Sequence, residues 1–202
     1  MLRFFERLTK PFPAAEPGQP PRGLLAFCRH YTKGMETSLL FMSLSSAILA
    51  VLEVSLFSFM GQLVDWLVAN DPENFFTDER ATLIWMALVT LVLLPLMTFI
   101  HSAIVHQTLL GNYPMSIRWL AHRYLLRQSI SFYQNDFAGR IATKVMQTSL
   151  AVRETVMKLL DVMVYILVYF GSMLFFIADA DLRLIIPMLV WLAIYIGMQF
   201  YF

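Results

Sequence analysis

Apolar and polar positions divide the chain into four long apolar runs, at about 38–60, 81–105, 159–178 and 184–202, and one long polar interruption. Each run approaches or exceeds the roughly 20 residues that cross a bilayer core as an α-helix. Pro95 lies inside the second run and predicts a kink. Gly111, Asn112 and Pro114 predict a break or bend beyond it. Asp179-Ala180-Asp181 reads as a tight polar turn between the third and fourth runs. The fourth run is still apolar at Phe202, so the sequence reads as stopping inside a spanning helix.

The interruption, Arg118 to Arg153, carries two amphipathic helical patterns around a short turn. Ile117, Leu120, Ala121, Tyr124 and Gln128 share one face before the turn. Ile141, Val145, Ser149, Val152 and Val156 recur at helical spacing after it. The two stripes predict an antiparallel hairpin whose arms, of roughly 18 residues each, are about 27 Å long. Phe132 and Tyr133 fall at its tip with Phe137 just beyond. Large rings on a charged, water-facing tip mark a docking surface, or else pack back on their own stem.

Ahead of the first apolar run, Arg3, Arg7 and Lys10 alternate with Leu2, Phe4, Phe5 and Leu8, a short surface-helix pattern. Pro11, Pro13, Pro17, Pro20 and Pro21 follow, so residues 1–22 are expected to be a disordered or extended cytoplasmic arm. The charged start is followed by PFPAAEPGQPP and not by an apolar stretch, which argues against a cleavable signal. Residues 23–37 resume a helical pattern, expected to lie along the membrane interface.

Composition agrees with a membrane chain. Hydrophobic residues make up 58%, charged residues 14%, and the mean hydropathy is +0.63. The single cysteine, Cys28, excludes an internal disulfide framework and any CxxC metal pair. Thirteen of the 15 Lys and Arg fall in the amino-terminal segment or in the hairpin and its exit. The positive-inside rule therefore puts both in the cytoplasm. The acidic loop after the first run, bracketed by Trp66 and Trp85, then faces outward. The predicted fold class is all-α, a polytopic helical membrane protein of the plasma (inner) membrane with a cytoplasmic helical hairpin.

Glu53 reads as the one ionisable residue deep in a span. A charge there costs at least about 2.5 kcal/mol on insertion scales. Ser46, Ala50, Glu53 and Phe57 share a helical face, so Ser46, Glu53 and Phe57 are candidate lining of a substrate cavity that would accept a cation. A hydrogen-bonded carboxyl joining two helices is the alternative. His101 and His106 are five apart, which does not put them on one face, and no HExxH appears, so no metal site is expected. Ser43, Ser45, Ser46, Ser55 and Ser58 have no general base near them in sequence and read as helix-packing groups. Tyr165, Tyr169, Phe175, Phe176 and Trp191 could line a cavity or face lipid.

The run SFYQNDFAGRIATKVMQTSLAVRE resembles the first intracellular loop of ABC exporters, of the bacterial multidrug type. The shared features are the basic helix Arg118–Arg127, the pair Phe132-Tyr133, the polar turn Gln134–Asp136, Gly139, and then Arg140, Lys144 and Arg153-Glu154. The order of elements also agrees: an elbow helix, a span ending in GQLVDWL, and a second span running into a long cytoplasmic helix. The resemblance covers the chain from about Gly23 onward. It implies that residues 38–202 are part of a six-span transmembrane domain, with the first intracellular loop at about 106–158. It also implies that Phe132, Tyr133, Asn135, Asp136, Phe137 and Gly139 dock a nucleotide-binding domain, with Asn135 or Asp136 capping the returning helix. A second transporter half, the lipid bilayer, and ATP with Mg in a separate cassette are implied partners and cofactors; nucleic acid is not. No GxxxxGK[ST] loop occurs in the chain, so these residues hold no nucleotide by that device. Two other classes remain: a non-transporting scaffold whose hairpin binds a cytoplasmic partner, and a membrane enzyme acting on lipid through Glu53.

Overall fold

A computed structural model describes residues 3–14, 16, 18–69, 79–135 and 138–201. Among these residues helices are the regular secondary structure, without strands. The elements are α1 (Arg3–Glu6), α2 (Leu24–Thr32), α3 (Glu36–Ala69), α4 (Arg80–Leu88), α5 (Leu94–Ala103), α6 (Asn112–Leu125), α7 (Ile130–Asn135), α8 (Ala138–Met157), α9 (Met163–Ala180) and α10 (Ile185–Tyr201). A 3₁₀ turn, Leu182–Leu184, separates the last two, with the Asp181 carboxylate accepting from the Arg183 backbone N–H at 2.8 Å.

Four helical stretches are long and apolar enough to cross a membrane: Glu36–Val68, Arg80–Leu125, Gly139–Ala180 and Leu182–Tyr201. The second has 46 residues and the third 42. At 1.5 Å per residue these run to about 69 and 63 Å, roughly twice a hydrocarbon core. The first helix also overruns its expected end near residue 60, because Gly61 to Trp66 stay helical. Most of the acidic loop, residues 70–78, falls outside the described residues.

Both long central stretches are kept nearly continuous by π turns, at Val89–Leu93, Ile104–Leu109 and Lys158–Val162. The kink expected at Pro95 takes this form. Proline offers no N–H and its ring crowds the preceding turn, and the wider turn just before it accommodates both, with the Leu94 N–H reaching the Val89 carbonyl. The break expected at Gly111–Pro114 is a short turn at Leu110 and Gly111. Helix resumes at Asn112, and Pro114 sits in that first turn, where its missing N–H has no intrahelical partner to lose. Between α2 and α3 the chain turns at Gly34, whose φ of 88° lies in the left-handed region that favours glycine. The helix expected over 23–36 therefore ends at Thr32.

The chain forms two compact units: Met1–Ser46 with Leu96–Val164, and Ala47–Pro95 with Tyr165–Phe202. The first has a real core of Tyr31, Met35, Leu39, Met42, Ile104, Leu109, Tyr113, Ile117, Val152 and Val156. The two stripes of the hairpin meet in it: Ile117, Ile141, Ser149, Val152 and Val156 are all buried. Full burial of a side chain such as Ile117 contributes about 1.5–3 kcal/mol where the alternative is water. Buried Ser149 is satisfied across the hairpin, accepting from Arg118 Nε at 2.9 Å and donating to the Met146 carbonyl at 2.8 Å. Tyr113 and Thr32 share a hydrogen bond of 2.8 Å.

The proline-rich arm, expected to be extended or disordered, is laid along this unit. Thr9 donates to the Thr108 carbonyl at 3.0 Å, and Thr108 donates to the Phe5 carbonyl at 2.9 Å. Asn112 Nδ2 donates to Thr9 Oγ1 and to the Glu6 carbonyl. Further along, Trp119 Nε1 donates to the Pro13 carbonyl at 3.2 Å, and the Phe12 ring stands edge-on to the Trp119 indole at 5.4 Å. Extended, proline-rich backbone has carbonyls left free by any internal ladder, and α6 supplies donors for them.

In the second unit, Leu49, Ala50, Val54, Met86 and Val89 are buried, while nothing in α9 or α10 is.

Candidate functional site

The tip of the hairpin is built by unwinding α6. Leu126, Arg127 and Gln128 donate their N–H groups to the carbonyls of His122, Tyr124 and Leu125, closing the helix before the short helix α7 crosses the end. Phe132 and Tyr133 sit on α7, 37% and 41% exposed, with their rings edge to face at 5.4 Å. Tyr133 Oη donates to the Leu125 carbonyl at 2.6 Å. The hydroxyl thus pins α7 to the end of α6 while much of the ring stays open. Phe132 lines a cavity of about 390 Å³ with Phe27, Tyr31, Ile117 and Val145. Tyr133 lines another of about 390 Å³ with Leu125, Leu126, Ile141 and Met146. Burial raises the Tyr31 phenol above its ordinary pKa, and the Tyr124 phenol adds to this.

Asp136 and Phe137 lie outside the described residues, as does the side chain of Asn135. Gly139 is helical, within α8, and its carbonyl accepts from Thr143 Oγ1 at 2.8 Å. Leu126 and Ile130 are missing from the sequence reading of the tip, yet they are 69% and 77% exposed beside its rings. They lie off the regular stripes, and only the turn geometry brings them to the end of the hairpin.

The three proposed cavity residues have different partners. Phe57 lines an open cleft of about 490 Å³ in the second unit, with Gln62, Asp65, Met173, Phe176 and Asp179. Glu53, in the same unit, accepts a short hydrogen bond from Tyr165 Oη, and the Tyr165 ring stacks on Tyr169 at 5.6 Å. The partner that the sequence left unnamed is thus a tyrosine on another helix. Ser46 belongs to the first unit and donates to the Asp161 carbonyl at 3.2 Å.

Two further ionisable groups lie within the expected spans. His101 Nε2 is 3.6 Å from Asp161 Oδ1, and its Nδ1 is 3.0 Å from Ser45 Oγ. This corrects the reading that the first-span serines lack a base. The members are 45, 101 and 161 in sequence, so no local spacing could reveal them. Among the described residues no group of three His, Cys, Asp or Glu is placed to hold a metal.

Over 195 residues, 96% of this chain, the sequence is 39% identical to an uncharacterized ABC transporter ATP-binding protein of Haemophilus influenzae (strain ATCC 51907 / DSM 11121 / KW20 / Rd). The aligned part is 32% of that protein, so the chain spans about a third of its relative's length. No family model matches the chain, and no solved structure does. The chain is an all-helical protein with four helices suited to crossing a membrane, similar along nearly its whole length to part of an ABC transporter protein.

Proposed function

We propose that this chain is part of the transmembrane domain of an ATP-driven ABC exporter, forming a portion of the translocation pathway and the first coupling loop to a nucleotide-binding domain. The observation that carries the reading is the hairpin. Two central helices, each about twice as long as a hydrocarbon core is thick, end in a short crossing helix with half-open aromatic rings. The 39% identity to an ABC transporter protein along the same residues supports it.

In this reading the bilayer surrounds the four apolar stretches, in the plasma (inner) membrane, with the amino terminus and the hairpin in the cytoplasm. Phe132 and Tyr133 seat in a groove of the nucleotide-binding domain, since buried aromatic anchors dominate many interfaces. Closure of two such domains moves the tips. A stem with a packed core passes the motion on without bending, and the spans alternate between inward- and outward-open arrangements. A second transporter half completes the pathway. The sequence contains no GxxxxGK[ST] phosphate-binding loop. ATP and Mg belong to the cassette.

The test uses the full-length protein. Tyr133→Glu abolishes substrate-stimulated ATPase while membrane insertion and basal hydrolysis persist. Tyr133→Phe keeps the ring, loses the bond to the Leu125 carbonyl, and retains most of the stimulation. Normal stimulation in Tyr133→Glu would remove the docking role and leave the scaffold reading.

A further inference from the structure

Ser45, His101 and Asp161 come from three separate helical segments and meet inside the first unit. Ser45 on α3 is buried, and its Oγ lies 2.8 Å from the Met42 carbonyl and 3.0 Å from His101 Nδ1. His101, on α5, places Nε2 at 3.6 Å from Asp161 Oδ1, and both side chains are about four-fifths covered. Asp161 sits in the π turn Lys158–Val162, and α3 grips the backbone of that turn. Ser43 Oγ donates to the Leu160 carbonyl at 2.6 Å, and Ser46 Oγ donates to the Asp161 carbonyl at 3.2 Å. Ionisable groups in apolar surroundings are costly and persist where they act. Single π turns recur at functional positions.

Proton counting shows what the arrangement does. The Ser45 hydroxyl has one proton and two acceptors in reach. When it donates to the Met42 carbonyl, His101 Nδ1 must be the donor to Ser45 Oγ. With Asp161 ionised, a proton on His101 Nε2 faces the carboxylate at 3.6 Å, and the ring is then an imidazolium. When the hydroxyl turns to Nδ1, the ring keeps only the Nε2 proton and is neutral. The two states differ by one proton and one hydroxyl rotation. The charged ring has an ion-pair partner in Asp161; the neutral ring leaves that carboxylate without its counter-charge.

We propose that Ser45, His101 and Asp161 form a proton-binding latch that ties α3, α5 and the π turn after α8 together, firm with the proton bound and loosened without it. This reading is independent of the transport role. A nucleophilic serine is the poorer reading, because the hydroxyl is buried and already engaged with a carbonyl of its own helix. Other ionisable groups on the packed elements include Glu36 on α3, Glu6 and Arg7 on or beside α1, His106, Arg153 and Glu154 on α8, and Lys158. Among the described residues none of them is ion-paired with His101 or Asp161. The latched form binds one proton more than the loosened form, so it is favoured as pH falls and disfavoured as pH rises.

The test takes the full-length protein in lipid nanodiscs with ¹⁵N-labelled histidine, the His101 signal being assigned by its loss in His101→Gln. Both ring nitrogens of His101 carry protons at the acid end of a pH series, and one does at the alkaline end. Amide exchange across Lys158–Val162, corrected for the intrinsic effect of pH, accelerates over the same interval. Asp161→Asn and Ser45→Ala each remove that pH dependence while helix content is unchanged, and they keep the test open should His101→Gln fold poorly. A His101 ring that stays in one neutral form throughout overturns the latch. So does an Asp161→Asn protein whose exchange follows pH as the wild type does.

Discussion

The hairpin α6/α8 and the spans α9 and α10 are both built of helices with many apolar residues, yet they use those residues in opposite ways. In the hairpin the apolar residues form stripes that meet: Ile117, Ile141, Val152 and Val156 are buried against one another. In α9 and α10 no residue is buried, and Leu167, Phe175 and Trp191 point outward at 60% exposure or more. The hairpin hides part of its apolar surface within itself. The spans carry apolar groups all round, as a helix must when its surroundings are themselves apolar. The difference teaches where a mutation should act: through packing in the first region, through the surrounding medium in the second.

The sharpest way to break this contrast is Ile117→Ala. It empties a site 1% exposed and is expected to cost about 2–5 kcal/mol, read as early unfolding of the hairpin by amide exchange. Leu167→Ala in α9, at 68% exposure, should stay within about 0.5 kcal/mol by the same measurement. Equal losses at the two positions would erase the distinction.

Ser149→Val is next. It adds one heavy atom at a fully buried site, as well as stranding Arg118 Nε without its acceptor. The expected loss is about 1–3 kcal/mol, and joint replacement with Arg118→Met should recover part of it. Non-recovery would show that the serine matters for packing and not for the bond.

Tyr165→Phe removes the donor to Glu53 in the second unit. Interhelical hydrogen bonds within membranes average about 0.6 kcal/mol with a maximum near 1.7, so a small fall in thermal stability is expected. Glu53→Gln separates the two roles of this carboxyl. Uptake or efflux of a cationic dye at the wild-type rate would leave Glu53 a helix-to-helix tie only.

The smallest effect belongs to Arg127→Ala. Its pairing with Glu16 spans 3.9 Å between exposed groups and should contribute well under about 1 kcal/mol. A larger loss would mean that the proline-rich arm holds the stem more firmly than its carbonyl bonds imply.

Sequence periodicity sufficed for the four apolar stretches and for both faces of the hairpin. Each is a local property: residues three and four apart share a helix face wherever that helix ends up. The same logic placed Phe132 and Tyr133 at the tip. It failed for the arm at residues 3–14, because the prolines that discourage internal structure say nothing about donors on a distant helix. It failed for Leu126 and Ile130, which depend on how α6 unwinds. It also failed for the partners of Glu53, His101 and Asp161, each of which lies on a different helical segment and more than fifty residues away. By itself the sequence determined which segments are helices, which of them suit a membrane and which suit water, since those follow from side-chain transfer free energy and a fixed helical repeat. Only the tertiary structure decided which polar groups meet, because that depends on helix rotation, on the added residue of each π turn and on chain reversals, none of which leaves a periodic mark.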